Sequence, residues 1–126
     1  MMPDDRLKPF ERRRYLNLET FRKTGVGVAT PVWFVAEGDT IWIYSVANLG
    51  KVKRIRNNPK VRIAPCNFRG RVQGDWVDAR ARIVTGEDER LGHQLLARKY
   101  GWLKKISKIY SRLRGREHAV IAINLI

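Results

Sequence analysis

The stretch TIWIYSVANLGKVKRIRNNPKVRIAPC, residues 40–66, reads as strand, helix, strand. Thr40 to Ser45 is a run of β-branched and aromatic residues, the composition of a strand. The strand stops near Tyr44–Ser45, and a helix runs from about Leu49 to Asn57. It ends at Asn58–Pro59, because the residue before a proline is pushed out of the helical region. KVRIAPC, residues 60–66, then alternates Val61, Ile63 and Pro65 as the next strand. The helix between them carries Lys51 in its first turn, where the backbone dipole favours negative charge.

On a helical wheel Val52 and Ile55 share the inward face, and Lys53 and Arg56 lie on the far side. Lys51 and Arg54 border the buried face. Two readings fit. One is a solvated basic helix whose lysines serve propensity alone. The other is a phosphate site, with Asn48 as a candidate cap and with free N–H groups, the positive dipole end and two cations converging on an anion.

Working outward, VGVATPVWFVA (26–36) puts Val26, Val28, Val32, Phe34 and Ala36 on one parity, a strand period. Pro31 inside it marks an edge, a bulge or a point where pairing stops. Glu37-Gly38-Asp39 makes a hairpin into Thr40. YLNLETF (15–21) is a weaker strand, preceded by a charged short helix or arm, with a turn at Thr24–Gly25. After a loop or wide hairpin at NFRGRVQG, WVDARARIV (76–84) sets Val77, Ala79, Ala81 and Ile83 against Asp78, Arg80 and Arg82. Thr85-Gly86-Glu87-Asp88 reads as a helix cap with Thr85 at the N-cap, opening a helix to about Tyr100. A second basic helix is expected over about 103–113, and HAVIAINLI closes as a strand. The sum is an α+β protein: about six mostly antiparallel strands in a small β-barrel with inserted helices, one domain over residues 1–126.

The 26 Lys and Arg exceed the 12 Asp and Glu by 14, which calls for an anionic partner. One cysteine, Cys66, excludes an intrachain disulfide and reads as a small buried apolar residue. The N-terminus has acids and no apolar core, so no signal peptide is expected. No apolar run approaches the roughly 20 residues of a membrane helix. The expectation is a cytoplasmic protein without a membrane span. His93 and His118 lack metal-ligand spacing, so no metal is expected.

ATPVWFVAEGDTIWIYS (29–45) followed by GKVKRIRNNPKVRIAP (50–65) resembles the split β-barrel flavin/deazaflavin oxidoreductases, the superfamily that includes pyridoxamine 5′-phosphate oxidase. Within it, the chain looks most like the small single-domain members that depend on coenzyme F420, a deazaflavin. The resemblance covers about residues 15 to 85. It lies in the combination of a P-V-W strand, a hairpin, a strand ending Y-S, and K-x-x-x-I-x-x-N-P opening the next strand.

The resemblance implies a homodimer with the cofactor in a groove between subunits. It implies that Thr30, Pro31, Val32 and Trp33 pass the tricyclic ring, with backbone groups bonding its pyrimidine part. Ser45, Lys51 and Arg54 would hold the phosphate, and Trp76 or Gln73 would reach across the interface. The implied activity is hydride transfer from reduced coenzyme F420 to a small unsaturated organic acceptor. Pyridoxamine phosphate oxidases have an arginine directly before this lysine, where this chain has Gly50, and a C-terminal aromatic and basic segment not seen here. Vitamin B6 oxidation is therefore not expected. FMN is the alternative cofactor, with less of its phosphate clamp present. The deazaflavin's lactyl–oligoglutamate tail suits a basic protein.

Tyr44 has two readings, proton donor or packed barrel tyrosine. RKYGWLKKISKIYSRLRGR (98–116) has eight Lys or Arg and no acid. Its apolar seam is Leu103, Ile106, Tyr110 and Leu113, beside a Lys104, Lys108, Arg112 row. It reads as an amphipathic helix on the barrel, or as a contact for the acidic tail, anionic lipid or nucleic acid. No nucleic-acid motif is visible, so that partner is not expected. A different functional class, a protein that stores or carries the cofactor or binds nucleic acid without turnover, is the remaining reading.

Overall fold

The alternation becomes a closed barrel in a computed structural model that describes residues 5–11, 13–46, 50–99 and 118–126. The strands are β1 (Tyr15–Phe21), β2 (Gly27–Glu37), β3 (Thr40–Val46), β4 (Lys60–Cys66), β5 (Val77–Val84) and β6 (His118–Leu125). Two helices lie between them, α1 (Gly50–Asn57) and α2 (Glu87–Lys99). Strand order round the barrel is β1-β2-β3-β6-β5-β4, and every pairing is antiparallel. The expected start of the first helix at Leu49, its cap Asn48, and the basic helix at 103–113 lie outside the described residues.

Side chains of alternate residues fill the barrel, as a pleated strand requires. Leu16 and Leu18, Ile41 and Ile43, Val61 and Ile63, and Ile121 and Ile123 point inward and are buried. On β5 the inward positions are the small Ala79 and Ala81, and Val52 and Ile55 of α1 join the same core. A 3₁₀ turn at Asp5–Phe10 adds Leu7 and Phe10, with the Phe10 ring edge-on to Phe34 at 6.2 Å. The β2–β3 hairpin turns through Gly38 at φ 60°, a conformation two-residue hairpins favour and glycine adopts without strain.

Pro31 has a simple place. β2 pairs with β1 from Gly27 to Phe21 through Trp33 to Tyr15, but with β3 only from Phe34 to Glu37. Pro31, which has no N–H to donate, sits in the half of β2 with a ladder on one side. YLNLETF alternates weakly because its outer face is also covered. The loop after β4 folds back there, and Asn17 Nδ2 donates to Gly70 O at 2.6 Å.

α2 lies on the barrel's outer surface, where Leu95 and Leu96 cover Val35, Trp42, Val84, Val120 and Ala122. Its first turn carries Glu87, Asp88 and Glu89, which suit the dipole. The cap differs from the sequence reading. The first carbonyl to accept a helical N–H is that of Gly86, bonded by Arg90 N at 3.1 Å. Gly86 therefore takes the cap position in place of Thr85, at a φ of 66° that glycine tolerates. At the other end Lys99 Nζ donates to Phe34 O at 2.8 Å and Arg13 O at 2.6 Å, over the Phe34 ring at 3.8 Å. Burial pushes its pKa down to about 8. No helix among the described residues is long and apolar enough to cross a membrane.

Gly92 is where α2 comes nearest the barrel. A Cβ there would stand 2.6 Å from Val120 Cγ1 and 3.0 Å from Trp42 Cε3, both in buried side chains. Gly92→Ala gains about 1 kcal/mol of helix propensity, while overpacking costs about 1–3 kcal/mol. The expected net result is a loss of about 1 kcal/mol, seen as a lower urea midpoint at unchanged m-value. A raised midpoint would mean that α2 can lift from the barrel freely.

Candidate functional site

The inward rows are apolar through the barrel and end in hydroxyls beside α1. On β1, Leu16 and Leu18 are followed on the same face by Thr20; on β3, Ile41 and Ile43 are followed by Ser45. Thr20 and Ser45 are buried. On β2, Thr30 shares a face with Val32 and Phe34. Its Oγ1 is buried with no hydrogen-bond partner among the described residues. A buried hydroxyl left unmatched costs free energy, so its place invites a donor or acceptor from outside the chain.

α1 sets two cations against this end. Val52 and Ile55 are buried, Lys51 and Arg54 are half-buried at the border, and Lys53 and Arg56 are exposed. Side chains on a helix lean toward its N-terminus. Arg54 accordingly folds back over Gly50: its Nη1 lies 2.6 Å from where a Cβ on residue 50 would be. Its Nε donates to Thr20 Oγ1 at 2.6 Å. Burial lowers the pKa of Lys51 below the ordinary 10.5, and the neighbouring Arg54 charge lowers it further. Among the described residues neither cation forms a salt bridge with a carboxylate. Two adjacent positive groups, partly out of water and without an acid, make a site for an anion.

The other expected site residues divide by strand parity. Val32 points into the core. Pro31 and Trp33 occupy the opposite face, Pro31 beside the Gly70 loop and Trp33 tilted against Tyr15 at 6.4 Å. The segment Thr30–Trp33 thus presents no single side-chain surface; among the described residues its ladder is the one with β1. Gln73 accepts from Arg13 Nη1, and Trp76 lies under the Arg62 guanidinium at 5.1 Å, which is itself bonded to Glu19. Tyr44 faces α2, edge-on to His93 at 5.2 Å, on the side of β3 opposite Ser45. The packed-tyrosine reading describes it. Cys66 is buried, and burial raises the pKa of its thiol. No group of three metal-ligating side chains occurs among the described residues.

Sequence reasoning missed Thr20. The signal was present: in YLNLETF it shares parity with Leu16 and Leu18, so a hydroxyl falls where the pattern asks for an apolar residue.

The family model described as Pyridoxamine 5'-phosphate oxidase matches residues 3–125. No curated protein matches the chain. Several solved structures share its fold. The heme storage protein HutZ of Vibrio cholerae superposes with a TM-score of 0.70 at 18% identity, covering 100% of this chain and 92% of its own. A FAD-binding protein of Mesorhizobium loti gives 0.64 at 19%, covering 96% and 85%. An F420 reductase gives 0.62 at 16%, covering 99% and 96%.

The lowered pKa of Lys51 has a sign that can be checked. Between its folded value and 10.5 the unfolded chain holds this proton and the folded chain does not. The residue's contribution to stability is therefore lowest at neutral pH and recovers as pH rises toward 10.5. Lys51→Met is expected to raise the urea midpoint at pH 7 and low salt, with the gain shrinking toward pH 10.5. An unchanged or lower midpoint at pH 7 would show that the chain already neutralises this ammonium.

Proposed function

Because the chain belongs to the pyridoxamine 5′-phosphate oxidase family, split barrels that bind flavins and deazaflavins, we propose that it is an oxidoreductase using coenzyme F420. It works as a homodimer with the cofactor in the groove between subunits and a small unsaturated organic acceptor as substrate. The observation that carries this reading is the acid-free pair of Lys51 and Arg54 on α1, with Arg54 bonded to the buried hydroxyl of Thr20. The residues present fit a phosphate: two cations, hydroxyl donors and the start of α1. The net charge of +14 favours the ligand with more negative groups, the deazaflavin with its oligoglutamate tail, over FMN.

When bound, the reduced deazaflavin supplies a hydride to the acceptor. The chain's own part is binding and placement. Lys51 and Arg54 fix the phosphate, with Ser45 and Thr30 as hydrogen-bond partners. The stretch of β2 from Thr30 to Trp33 would pass the ring and offer backbone groups to its edge. The apolar barrel wall behind them keeps water from that side.

FMN remains the second reading, because it bears the same phosphate. A third, binding without turnover, has a precedent in the heme storage protein of the same fold. Titration with coenzyme F420 and with FMN, followed by cofactor fluorescence at low and moderate salt, separates them. Saturable F420 binding tighter than FMN binding is expected. Lys51→Ala should weaken it by about 1.5–3 kcal/mol, which is about ten- to hundredfold. Preference for FMN would move the protein to the flavin branch. An unchanged dissociation constant in the variant would remove the phosphate site from α1.

A further inference from the structure

We infer that Thr20 and Gly50 are positioning residues that install the Arg54 guanidinium as the second phosphate-binding group, in the space a side chain at position 50 would fill; this rests on the phosphate site proposed above. The argument begins with helix geometry. A residue at i+4 covers the surface over the turn before it, so a long side chain at 54 reaches the start of α1. It can do so here because position 50 is glycine. With the Nη1 of Arg54 at 2.6 Å from the ideal Cβ position, even an alanine would compete for that space.

Thr20 then fixes the orientation. Its hydroxyl is fully buried in the inward row of β1 and accepts from Arg54 Nε at 2.6 Å. A guanidinium is planar, and a bond at Nε sets that plane. The two terminal nitrogens remain as a fork, with no hydrogen-bond or carboxylate partner among the described residues. A fork of two coplanar N–H donors matches two oxygens of one phosphoryl group, whereas a lysine at 54 would offer only a point charge. The recognised chemistry is thus a phosphate ester held bidentately by Arg54, with Lys51 as the neighbouring charge. The cation that Gly50 lacks is supplied from one turn further along the helix.

The test measures dissociation constants for coenzyme F420, FMN and riboflavin, the last lacking the phosphate, together with urea midpoints. Thr20→Val is close in shape and removes the acceptor. It should weaken F420 and FMN binding about tenfold and leave riboflavin unchanged, and Thr20→Ser should restore the affinity. Gly50→Ala should weaken the same two ligands without lowering the urea midpoint, because only the flexible end of Arg54 has to move. A purely structural role for Thr20 would lower the midpoint and shift all three ligands alike, and that result overturns the inference. So does phosphate-ligand binding unaffected by Thr20→Val and Gly50→Ala while Lys51→Ala weakens it; the site on α1 then stands without this arrangement. If the unaltered protein binds neither F420 nor FMN, the proposed function falls and this inference with it.

Discussion

The interior of a six-stranded barrel is too narrow for a ligand. Eight strands enclose a space that side chains just fill, and six enclose less. Here Leu16, Leu18, Phe34, Ile63, Ile121 and Ile123 occupy it, while Phe10 from the N-terminal turn and Val52 and Ile55 from α1 add to the same core. Any functional surface must therefore lie where the inside–outside alternation or the hydrogen-bond ladder lapses. Both lapses occur in neighbouring strands. The inward rows of β1 and β3 change from aliphatic to hydroxyl at Thr20 and Ser45, and among the described residues the β2–β3 ladder runs only from Phe34 to Glu37. α1 follows directly from that end of the barrel and brings its two border cations with it.

How the chain treats its half-buried cations separates structural from functional charge. Arg62 is matched by Glu19, with Nε and Nη2 each 2.6 Å from Oε1, and its guanidinium rests over Trp76. Lys99 is tied to two backbone carbonyls and an aromatic face. Each of these has an internal counterpart that satisfies it, as a group serving the fold should. Lys51 and Arg54 are different: the only hydrogen bond Arg54 makes among the described residues is to a neutral hydroxyl, and burial followed by the Arg54 charge disfavours the charged form of Lys51. A fold gains nothing from that arrangement. The phosphate of the proposed function would take the place that Glu19 takes for Arg62 and offset that cost.

Much of the barrel was legible because strands with one buried face carry a period of two. Val77, Ala79, Ala81 and Ile83 against Asp78, Arg80 and Arg82 could be assigned to inside and outside from the letters alone. Pro31 was readable as a limit on pairing, though which partner was missing depended on the closure of the whole sheet. The cap of α2 was misread by one residue, since Thr85 has the right chemistry and Gly86 the required backbone. For the site, the helical wheel correctly set Lys51 and Arg54 at the border of the buried face. It could not show that Arg54 reaches Thr20, thirty-four residues away in sequence. Nor could it separate Pro31 and Trp33 from Thr30 and Val32 by function, because one strand serves two faces. Long-range contacts of this kind follow from closure, which no local pattern encodes.

The charge of this protein acts at two ranges, and they make different demands on a ligand. The net excess of 14 positive groups acts at long range, and salt screens exposed charge beyond about 8–10 Å. Under the proposed function it would favour the ligand with the longer acidic tail. The Lys51–Arg54 pair is partly out of water, so its attraction for an anion is screened much less. In the proposed reading, recognition of the phosphate that F420 and FMN share would reside in the salt-resistant part. Discrimination between them would then reside in the salt-sensitive part, together with the ring contacts proposed along β2. A ligand that engages the pair also relieves the repulsion within it, so binding and stability are linked through the same two side chains.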